Sequence, residues 1–355
     1  MEKDWRQAVV DPSATLEEAV RVITKGALRI ALVVNDGGFL VGIITDGDLR
    51  RAIGRHIPMS DGLASVMNTS PVTLQADRSR EEMLSFMQKR SIDHLPLLNA
   101  AGRLEGFTSI SQLTLRESGI DRGSALLIAG GFGKRLRPLT NDLPKPLVRV
   151  GGKPIIQHII ESLRDDGFSR LFISTHYKSR MITDYLGSGA RFGVQIQYIH
   201  EETPLGTAGC IGHLPEDLGE GPLLVMNADL LTGISFRQLA DFHVMEKSVA
   251  TMCVRNYGVT IPFGVVSAEA DQVVEKIEEK PTKNFLVNAG IYVLAKTVLN
   301  SVKRAEILTM PDLINRLLTN GKKVSTFPIF EDWIDVGTAE SLAEARSLFD
   351  GVKDE

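Results

Sequence analysis

The sequence predicts two domains of different class. Residues 120–355 are predicted to form an α/β domain with a mixed, mainly parallel sheet, and residues 1–119 an α+β module made of a tandem repeat. Three observations lead to this prediction. A chain of 355 residues exceeds one typical domain. The first part of the chain aligns with itself, and the second part alternates short apolar strands with amphipathic helices.

The repeat becomes visible when the chain is shifted by 64 positions without a gap. This shift aligns Val33-Val34-Asn35 with Leu97-Leu98-Asn99, and Gly38 with Gly102. Each copy, at about residues 8–60 and 66–117, is predicted to contain an extended start, a helix, two strands joined by a turn, and a final helix. The two copies can bury their apolar faces against each other as one module.

The second part of the chain reads as alternating strands and helices. Because such alternation predicts a largely parallel sheet, ligands are expected beyond the carboxyl ends of its strands. The predicted strands are Leu126–Ile128, Leu171–Ser174, Gln195–Ile199, Leu223–Met226 and Ala250–Val254, and the predicted helices are Pro154–Asp166 and Arg180–Leu186.

The composition is typical of a globular protein, with 43% apolar and 24% charged residues. A net charge of −4 argues against a surface that coats nucleic acid. No apolar run approaches the roughly 18–20 residues of a membrane span, and the N-terminus lacks the apolar core of a signal peptide. Cys210 and Cys253 have no metal-ligand spacing, so we expect both to be buried in a protein of the reducing cytoplasm.

A glycine-rich basic loop follows the first predicted strand of the α/β domain. The segment reads Ala125-Leu-Leu-Ile-Ala-Gly-Gly-Phe-Gly-Lys-Arg-Leu-Arg-Pro-Leu-Thr140, and Leu143-Pro-Lys-Pro146 comes soon after. Glycines let backbone N–H groups approach a ligand, and nearby cations favour an anion, so the loop indicates polyphosphate binding. The spacing fits neither a P-loop nor the dinucleotide-binding fingerprint.

From Gly130 to Pro146 the chain resembles the sugar-1-phosphate nucleotidyltransferases, whose signature is Gly-Gly-x-Gly-x-Arg-Leu-x-Pro-Leu-Thr followed by Pro-Lys-Pro. The resemblance implies an enzyme with a Rossmann-like nucleotidyltransferase domain. It also implies that Arg135 and Lys145 are catalytic, whereas Lys134 is at most a secondary phosphate contact. The residues of the loop that it assigns to nucleotide binding are Ala129, Gly130, Gly131 and Gly133.

Two carboxylates are candidate Mg²⁺ ligands. Asp229 ends the apolar run Leu223-Leu-Val-Met-Asn-Ala-Asp229, and Asp335 lies in Trp333-Ile-Asp-Val-Gly-Thr338. Mg²⁺ prefers oxygen ligands and is usually held by one or two carboxylates together with phosphates. Both positions are metal ligands in the family that the chain resembles. A strand-end Asp taken alone is as often a helix N-cap.

The stretch Glu201-Glu-Thr-Pro-Leu-Gly-Thr-Ala208 resembles the nucleobase loop of the family, with Gly206 against the base and Thr207 beside it. Glu201 is at the position that reads the base edge. A carboxylate only accepts hydrogen bonds, and guanine presents two adjacent donors, N1–H and the N2 amino group. We therefore expect GTP rather than UTP or dTTP. The alternative is a solvated Glu201 without a specific role.

Three further stretches resemble the sugar side of the family's site. Gly264 offers backbone to the sugar, Glu279 faces its hydroxyls, and Lys280, also implied to be catalytic, faces its phosphate. Asn288 is expected to form hydrogen bonds as both donor and acceptor. The alternative for Glu278-Glu279-Lys280 is a solvated run of charges.

The repeat resembles a pair of CBS (cystathionine β-synthase-type) domains, through Gly42-Ile-Ile-Thr-Asp-Gly-Asp-Leu49 and His94-Leu-Pro-Leu97. In that family a Thr or Ser, with an Asp three residues later, holds the ribose and phosphate of an adenine nucleotide. The first copy has Thr45 and Asp48, whereas the second has Gln112 where the Asp would be. One regulatory nucleotide per chain is expected. The alternative is a dimerisation or docking module, and homo-oligomers through it are expected in either case.

The expected reaction is transfer of a nucleotidyl group, with GTP and a sugar-1-phosphate as substrates and Mg²⁺ as cofactor. The arrangement resembles glucosamine-1-phosphate guanylyltransferases of nonulosonic acid pathways, with mannose-1-phosphate guanylyltransferases as cousins. A thymidylyl- or uridylyltransferase is the alternative within the class. A non-catalytic, nucleotide-sensing subunit is the alternative outside it, although Arg135, Lys145, Asp229 and Asp335 are all present.

Overall fold

The computed structural model describes residues 5–25, 30–55, 57–90, 92–109, 113, 123–219, 221–268 and 273–350. Contacts within the chain divide it into two compact units, Met1–Gly119 and Ile120–Glu355. Each unit is described by itself below.

The first unit contains two three-stranded sheets of the same topology. In each, a short strand pairs in parallel with a central strand, which pairs antiparallel with the third. The strands are β1 (Val9–Val10), β2 (Ile30–Val34), β3 (Leu40–Thr45), β4 (Leu74–Gln75), β5 (His94–Leu98) and β6 (Leu104–Ser109), and the helices are α1 (Leu16–Lys25), α2 (Asp46–Gly54) and α3 (Arg80–Arg90).

Equivalent asparagines build the turn of each copy. The Asn35 side chain accepts hydrogen bonds from the backbone N–H groups of Gly37 and Phe39, and Asn99 accepts from Ala101 and Arg103 in the same way. Phe107 of the second copy packs with Ile30, Leu32 and Ile43 of the first. The predicted repeat and its shared core are therefore confirmed for the described residues. Gln112 and the predicted final helix of the second copy lie outside them.

The second unit is built on a seven-stranded sheet with strand order β11-β10-β7-β12-β17-β14-β18. Four of its pairings are parallel, and only those of β17 are antiparallel. The sheet strands are β7 (Ser124–Ile128), β10 (Arg170–Thr175), β11 (Gln195–His200), β12 (Leu223–Asn227), β14 (Ala250–Thr260), β17 (Thr282–Leu294) and β18 (Val324–Ile329). The mixed, mainly parallel sheet predicted from the sequence is confirmed.

Smaller strand pairs and the helices complete this unit. The pairs are β8 (Arg149–Val150) with β9 (Lys153–Pro154), β13 (Leu230–Thr232) with β19 (Trp333–Asp335), and β15 (Val265–Ala268) with β16 (Val274–Glu278). The helices are α4 (Ile155–Asp165), α5 (Ser179–Leu186), α6 (Gly206–Gly209), α7 (Phe236–Glu246), α8 (Lys296–Leu299), α9 (Met310–Thr319) and α10 (Ala339–Asp350).

The central strands β7 and β12 are almost entirely apolar because both faces of the sheet are covered there. On β7, Leu127 packs into one core with helices α4 and α7, whereas its neighbour Leu126 packs into a second core with α8 and α9. Successive side chains of a strand point to opposite faces, so a continuous apolar run is what a sheet covered on both sides requires.

One predicted strand is longer than expected. The strand predicted at Ala250–Val254 continues to Thr260 and pairs with β17 along its whole length. From Arg255 onward its residues are exposed and mostly polar, so no apolar run marks this outer half.

None of the helices in the described ranges combines the length and the apolar character needed to cross a bilayer.

Candidate active site

The site lies where three neighbouring parallel strands end. In the sheet register Ser174 of β10 lies opposite Ile128 of β7, which in turn lies opposite Asn227 of β12. The residues that follow these positions therefore reach the same edge of the sheet. They are the glycine loop after β7, Thr175-His176 after β10, and Ala228-Asp229 after β12.

The glycine loop packs most tightly at Gly133. Gly133 has a φ of +62°, and a Cβ there would lie 3.1 Å from Thr140 Cγ2. Thr140 is buried, and its hydroxyl donates to the Gly133 carbonyl at 2.7 Å. At Gly130 a Cβ would touch His176 at 3.4 Å and come within 3.8 Å of the Glu201 carboxylate. Gly133 thus lets the loop pack closely on Thr140, whereas the contacts at Gly130 are ordinary and Gly131 faces open space.

Lys145 connects the two predicted metal ligands. Its ammonium group donates to Asp229 Oδ2 and, at 3.3 Å, to Asp335 Oδ1. The residue is only 8% exposed. Asp335 is brought there by the β13–β19 pair, in which it lies opposite Leu230, the residue after Asp229. A buried cation and two carboxylates, from three distant parts of the sequence, therefore form one centre.

The environment of Asp229 suits a carboxylate that binds a cation. Its Oδ1 atom is buried and has no hydrogen-bond partner among the described residues. Burial raises the pKa of this carboxyl above its ordinary value of 3.8, and the Lys145 ammonium opposes the rise. Oxygen ligands of this kind suit Mg²⁺, which takes one or two carboxylates and completes its shell with phosphates and water. Within the described ranges no group of three or more His, Cys, Asp or Glu residues could hold a metal.

Arg135 belongs to the same centre. A Cβ at Gly337 would lie 3.0 Å from a terminal guanidinium nitrogen of Arg135 and 3.2 Å from Asp335 Oδ1. The guanidinium therefore packs directly on the backbone of Gly337, beside the Asp335 carboxylate. Arg135 itself is exposed, which leaves its charge available to an anion.

Glu201 is buried rather than solvated, with 5% exposure. Its Oε1 accepts from the Ser174 hydroxyl and its Oε2 from the Leu205 backbone N–H at 2.8 Å. Each carboxylate oxygen has two lone pairs, so two acceptor positions remain after these two bonds. The carboxylate lies beside Gly130, which connects the glycine loop with the predicted base loop.

The base loop packs against the segment Lys303–Thr309. At Gly206, which has a φ of +78°, a Cβ would lie 2.5 Å from the Leu308 carbonyl oxygen. Gly209 and Gly212 face the carbonyl oxygens of Glu306 and Lys303 in the same way. The hydroxyl of Thr207 accepts from the Met310 N–H at 2.8 Å. Glycine is thus required at position 206 by chain packing, whatever ligand lies nearby.

The predicted sugar-side residues form two groups. A Cβ at Gly264 would lie 3.2 Å from Glu279 Oε2, so these two are neighbours, and Lys280 follows with an exposed side chain. Asn288 is oriented by two bonds: it donates to the Tyr292 hydroxyl at 2.5 Å and accepts from the Gly290 N–H at 3.0 Å. In the described structure Lys280 makes no hydrogen bond to Asp229 or Asp335.

In the first unit, Thr45 and Asp48 interact with each other. They form a capping box at the start of α2, in which Thr45 accepts from the Asp48 N–H and Asp48 accepts from the Thr45 N–H. Asp48 also forms an ion pair with Arg51 at 2.5 Å. A ligand at this position would therefore meet an Asp that already accepts hydrogen bonds within its own chain.

Family models match both parts of the chain. The model described as Nucleotidyl transferase matches residues 124–350, and the model described as CBS domain matches residues 5–55 and 63–116. The chain belongs to the nucleotidyl transferase family. The family resemblance inferred from the sequence is thus confirmed, together with the CBS pair.

Curated relatives of this nucleotidyl transferase include mannose-1-phosphate guanylyltransferases. The Mycobacterium tuberculosis protein is 34% identical over 229 residues, which cover 63% of each chain. Probable mannose-1-phosphate guanylyltransferase 1 of Oryza sativa subsp. japonica is 35% identical over 234 residues, 63% of this chain and 64% of the relative. The chain thus spans less than two thirds of the length of these relatives.

Solved structures share the fold. A putative glucose-1-phosphate thymidylyltransferase from Bacillus anthracis matches with a TM-score of 0.53 and 27% identity, over 65% of this chain and 97% of that one. HddC from Yersinia pseudotuberculosis, in a complex with GMP-PN, matches with a TM-score of 0.51 and 24% identity, over 64% and 99%.

Two residues of this nucleotidyl transferase site were not singled out from the sequence. Ser174 ends a predicted strand at the same edge as Asp229, so the rule that selected Asp229 could also have selected Ser174. Gly337 lies within the motif that contains Asp335, but its packing against Arg135 depends on the fold.

Replacing Asp229 with Asn is expected to stabilise the protein in the absence of divalent metal. A carboxyl whose pKa is raised by folding binds protons more tightly in the folded state, so its ionisation costs stability as the pH rises above 3.8. We expect Asp229→Asn to increase the free energy of unfolding at pH 7, and to have a smaller effect near pH 4. Urea denaturation with a chelator present measures this.

The matched control is Asp142→Asn, which changes an exposed carboxylate. It should leave the free energy of unfolding unchanged at both pH values. A lower stability of Asp229→Asn than of wild type at pH 7 would contradict the electrostatic description of this centre.

Proposed function

We propose that this chain is a sugar-1-phosphate guanylyltransferase, which transfers GMP from GTP to a sugar-1-phosphate. The observation that carries the proposal is the centre of Lys145, Asp229 and Asp335 beside a glycine-rich loop. Such an arrangement provides backbone for a polyphosphate, cations for its charge and oxygen ligands for a divalent metal. The names of the curated relatives reported above, mannose-1-phosphate guanylyltransferase and probable mannose-1-phosphate guanylyltransferase 1, correspond to this activity.

The chemistry follows from the charges of the substrates. An oxygen of the sugar-1-phosphate attacks the α-phosphorus of GTP, the bond to the bridging oxygen of the β-phosphate breaks, and pyrophosphate leaves as GDP-sugar forms. Both reactants are anions. Arg135 and Lys145 offset their repulsion and hold the groups in line, and Lys280 binds the sugar phosphate. No side-chain nucleophile is needed.

Asp229 and Asp335 would hold Mg²⁺ in this proposal. Nucleotidyl transferases of this family commonly use a divalent metal. When bound, the ion would supply positive charge that stabilises the phosphate oxygens during transfer. Because Lys145 contacts both carboxylates, its ammonium neutralises part of their charge before substrates bind.

The sugar is proposed to be a hexose-1-phosphate, with two candidates. The sequence resemblance favours glucosamine-1-phosphate, and with it a GDP-glucosamine-type product for surface glycan synthesis. The names of the curated relatives favour mannose-1-phosphate. Glu279 and Asn288 are the proposed contacts of the sugar hydroxyls, with Gly264 offering backbone.

Turnover with a panel of nucleotides and sugar-1-phosphates tests the function. We expect pyrophosphate release with GTP, Mg²⁺ and one of the two candidate sugars.

Asp335→Asn should lower kcat/KM by at least about a hundredfold, because it removes a charge from the metal site. The control Asp332→Asn changes an exposed carboxylate three residues away and should leave turnover unchanged. An Asp335→Asn enzyme as active as wild type would exclude the proposed metal site.

Base choice is tested at Glu201. We expect Glu201→Gln to lower kcat/KM for GTP by about 5- to 150-fold, because the amide N–H₂ would face the donors of guanine. Glu202→Gln is the matched control, since Glu202 is the adjacent glutamate and is exposed. Faster turnover with UTP or dTTP than with GTP in the wild-type enzyme would show that the base assignment is wrong.

The N-terminal module is proposed to bind one adenine nucleotide through Thr45 and Asp48, and to assemble the chain into homo-oligomers. We expect calorimetric titration with AMP, ADP and ATP to detect one site per chain, which Asp48→Ala abolishes. Because Asp48 also caps α2, Glu18→Ala serves as the control: Glu18 and Thr15 form the equivalent box at α1. If none of the three nucleotides binds the wild-type protein, the module is for assembly or docking.

A further inference from the structure

A buried hydroxyl supports the carboxylate that is proposed to read the base. Ser174 is fully buried at the end of β10, and its hydroxyl donates to Glu201 Oε1. The Leu205 N–H donates to the other oxygen, Oε2. The backbone around the pair is also held in place, because the Glu201 N–H donates to the Thr175 carbonyl at 2.9 Å.

These bonds leave the carboxylate with a defined remaining capacity. Two oxygens have about four acceptor positions, and two of these are occupied by Ser174 and Leu205. Two positions therefore remain, one on each oxygen. Guanine presents two adjacent donors, N1–H and one N–H of the N2 amino group, so the number of remaining acceptors equals the number of donors. A bidentate pair also requires a defined plane of the carboxylate, which the two internal bonds fix.

The two internal bonds are not equivalent. The Leu205 N–H belongs to the same loop as Glu201, four residues further along the chain. Ser174 lies 27 residues earlier, on a strand hydrogen-bonded to neighbours on both sides. The hydrogen bond from the Ser174 hydroxyl thus fixes the carboxylate relative to the sheet. It thereby also fixes the carboxylate relative to the glycine loop, which follows the neighbouring strand β7.

We propose that Ser174 is a positioning residue for base selectivity, which fixes the Glu201 carboxylate so that both of its oxygens face the two donors of guanine. The proposal rests on the proposed guanylyltransferase function and on Glu201 as its base-reading residue. Ser174 does not touch the base in this assignment. It acts only through Glu201.

The other groups around Glu201 leave this assignment intact. The His176 ring contacts the main-chain carbonyl of Glu201 at 2.8 Å, not its carboxylate. Burial, and next the negative charge of Glu201, raise the pKa of the nearby Cys210 thiol to about 12, against the opposing effect of its hydrogen bond with Ser174, so this thiol is neutral. No other described side chain donates to the Glu201 carboxylate.

The ratio of kcat/KM for GTP to that for ITP measures the interaction. ITP keeps N1–H but lacks the N2 amino group, so the ratio reports on one of the two proposed bonds. We expect Ser174→Ala to lower this ratio by about tenfold, through a higher KM for GTP at nearly unchanged kcat. Ser174→Cys keeps the side-chain volume but offers only a weak donor, so it should also lower the ratio. Because it fills the same space, it tests the proposal even if the Ala variant misfolds.

Ser124→Ala is the matched control. Ser124 is equally buried on the adjacent strand β7, and its hydroxyl donates to the Leu218 carbonyl at 2.7 Å. Removing it should leave the GTP/ITP ratio unchanged. If Ser124→Ala lowers the ratio as much as Ser174→Ala does, the effect is general loosening of the sheet and the assignment to Ser174 is wrong.

A double-mutant cycle separates this inference from the proposed function. Glu201→Gln should itself lower the ratio, and Ser174→Ala added to it should cause no further loss. If Glu201→Gln leaves the ratio unchanged, the guanine reading fails and Ser174 loses its role with it. If Glu201→Gln lowers the ratio but Ser174→Ala and Ser174→Cys do not, the base reading stands and the positioning role of Ser174 is overturned.

Discussion

The contact of one buried ammonium group with two carboxylates is the interaction on which the rest of the site depends. Lys145, Asp229 and Asp335 are far apart in sequence, and the charge of the buried Lys145 is costly to bury alone. They come together because β7 and β12 are parallel neighbours and because β13 pairs with β19. Both the sheet and the small strand pair β13–β19 are therefore needed to bring the three charged side chains together.

Close backbone packing is the second constraint. The glycine loop can pack on Thr140 only because Gly133 lacks a side chain and adopts a positive φ. Gly337 allows the Arg135 guanidinium to approach Asp335, and Gly206 allows the base loop to pack on Leu308. The motif glycines thus bring charged side chains and backbone donors within a few ångströms of one another. Their role in this fold is geometric before any ligand is considered.

Much of this arrangement could be predicted from the sequence, for physical reasons that also explain the gaps. The buried strands are predictable because a sheet covered on both faces needs continuous apolar runs: the predicted strands Leu126–Ile128 and Leu223–Met226 lie within the observed Ser124–Ile128 and Leu223–Asn227. The outer half of β14 was missed because its residues are exposed and polar. The contact of Lys145 with both carboxylates, like that of Ser174 with Glu201, depends on strand order, which no local pattern in the sequence encodes.

Direct detection of a metal at the carboxylates is the most decisive measurement for this account. Electron paramagnetic resonance can count Mn²⁺ ions bound to the full chain in the presence of a non-hydrolysable GTP analogue. The account predicts bound Mn²⁺ in the wild-type protein, with at least one ion lost in both Asp229→Asn and Asp335→Asn and none lost in Asp332→Asn. Equal Mn²⁺ binding in the wild type and in the two site variants would contradict it.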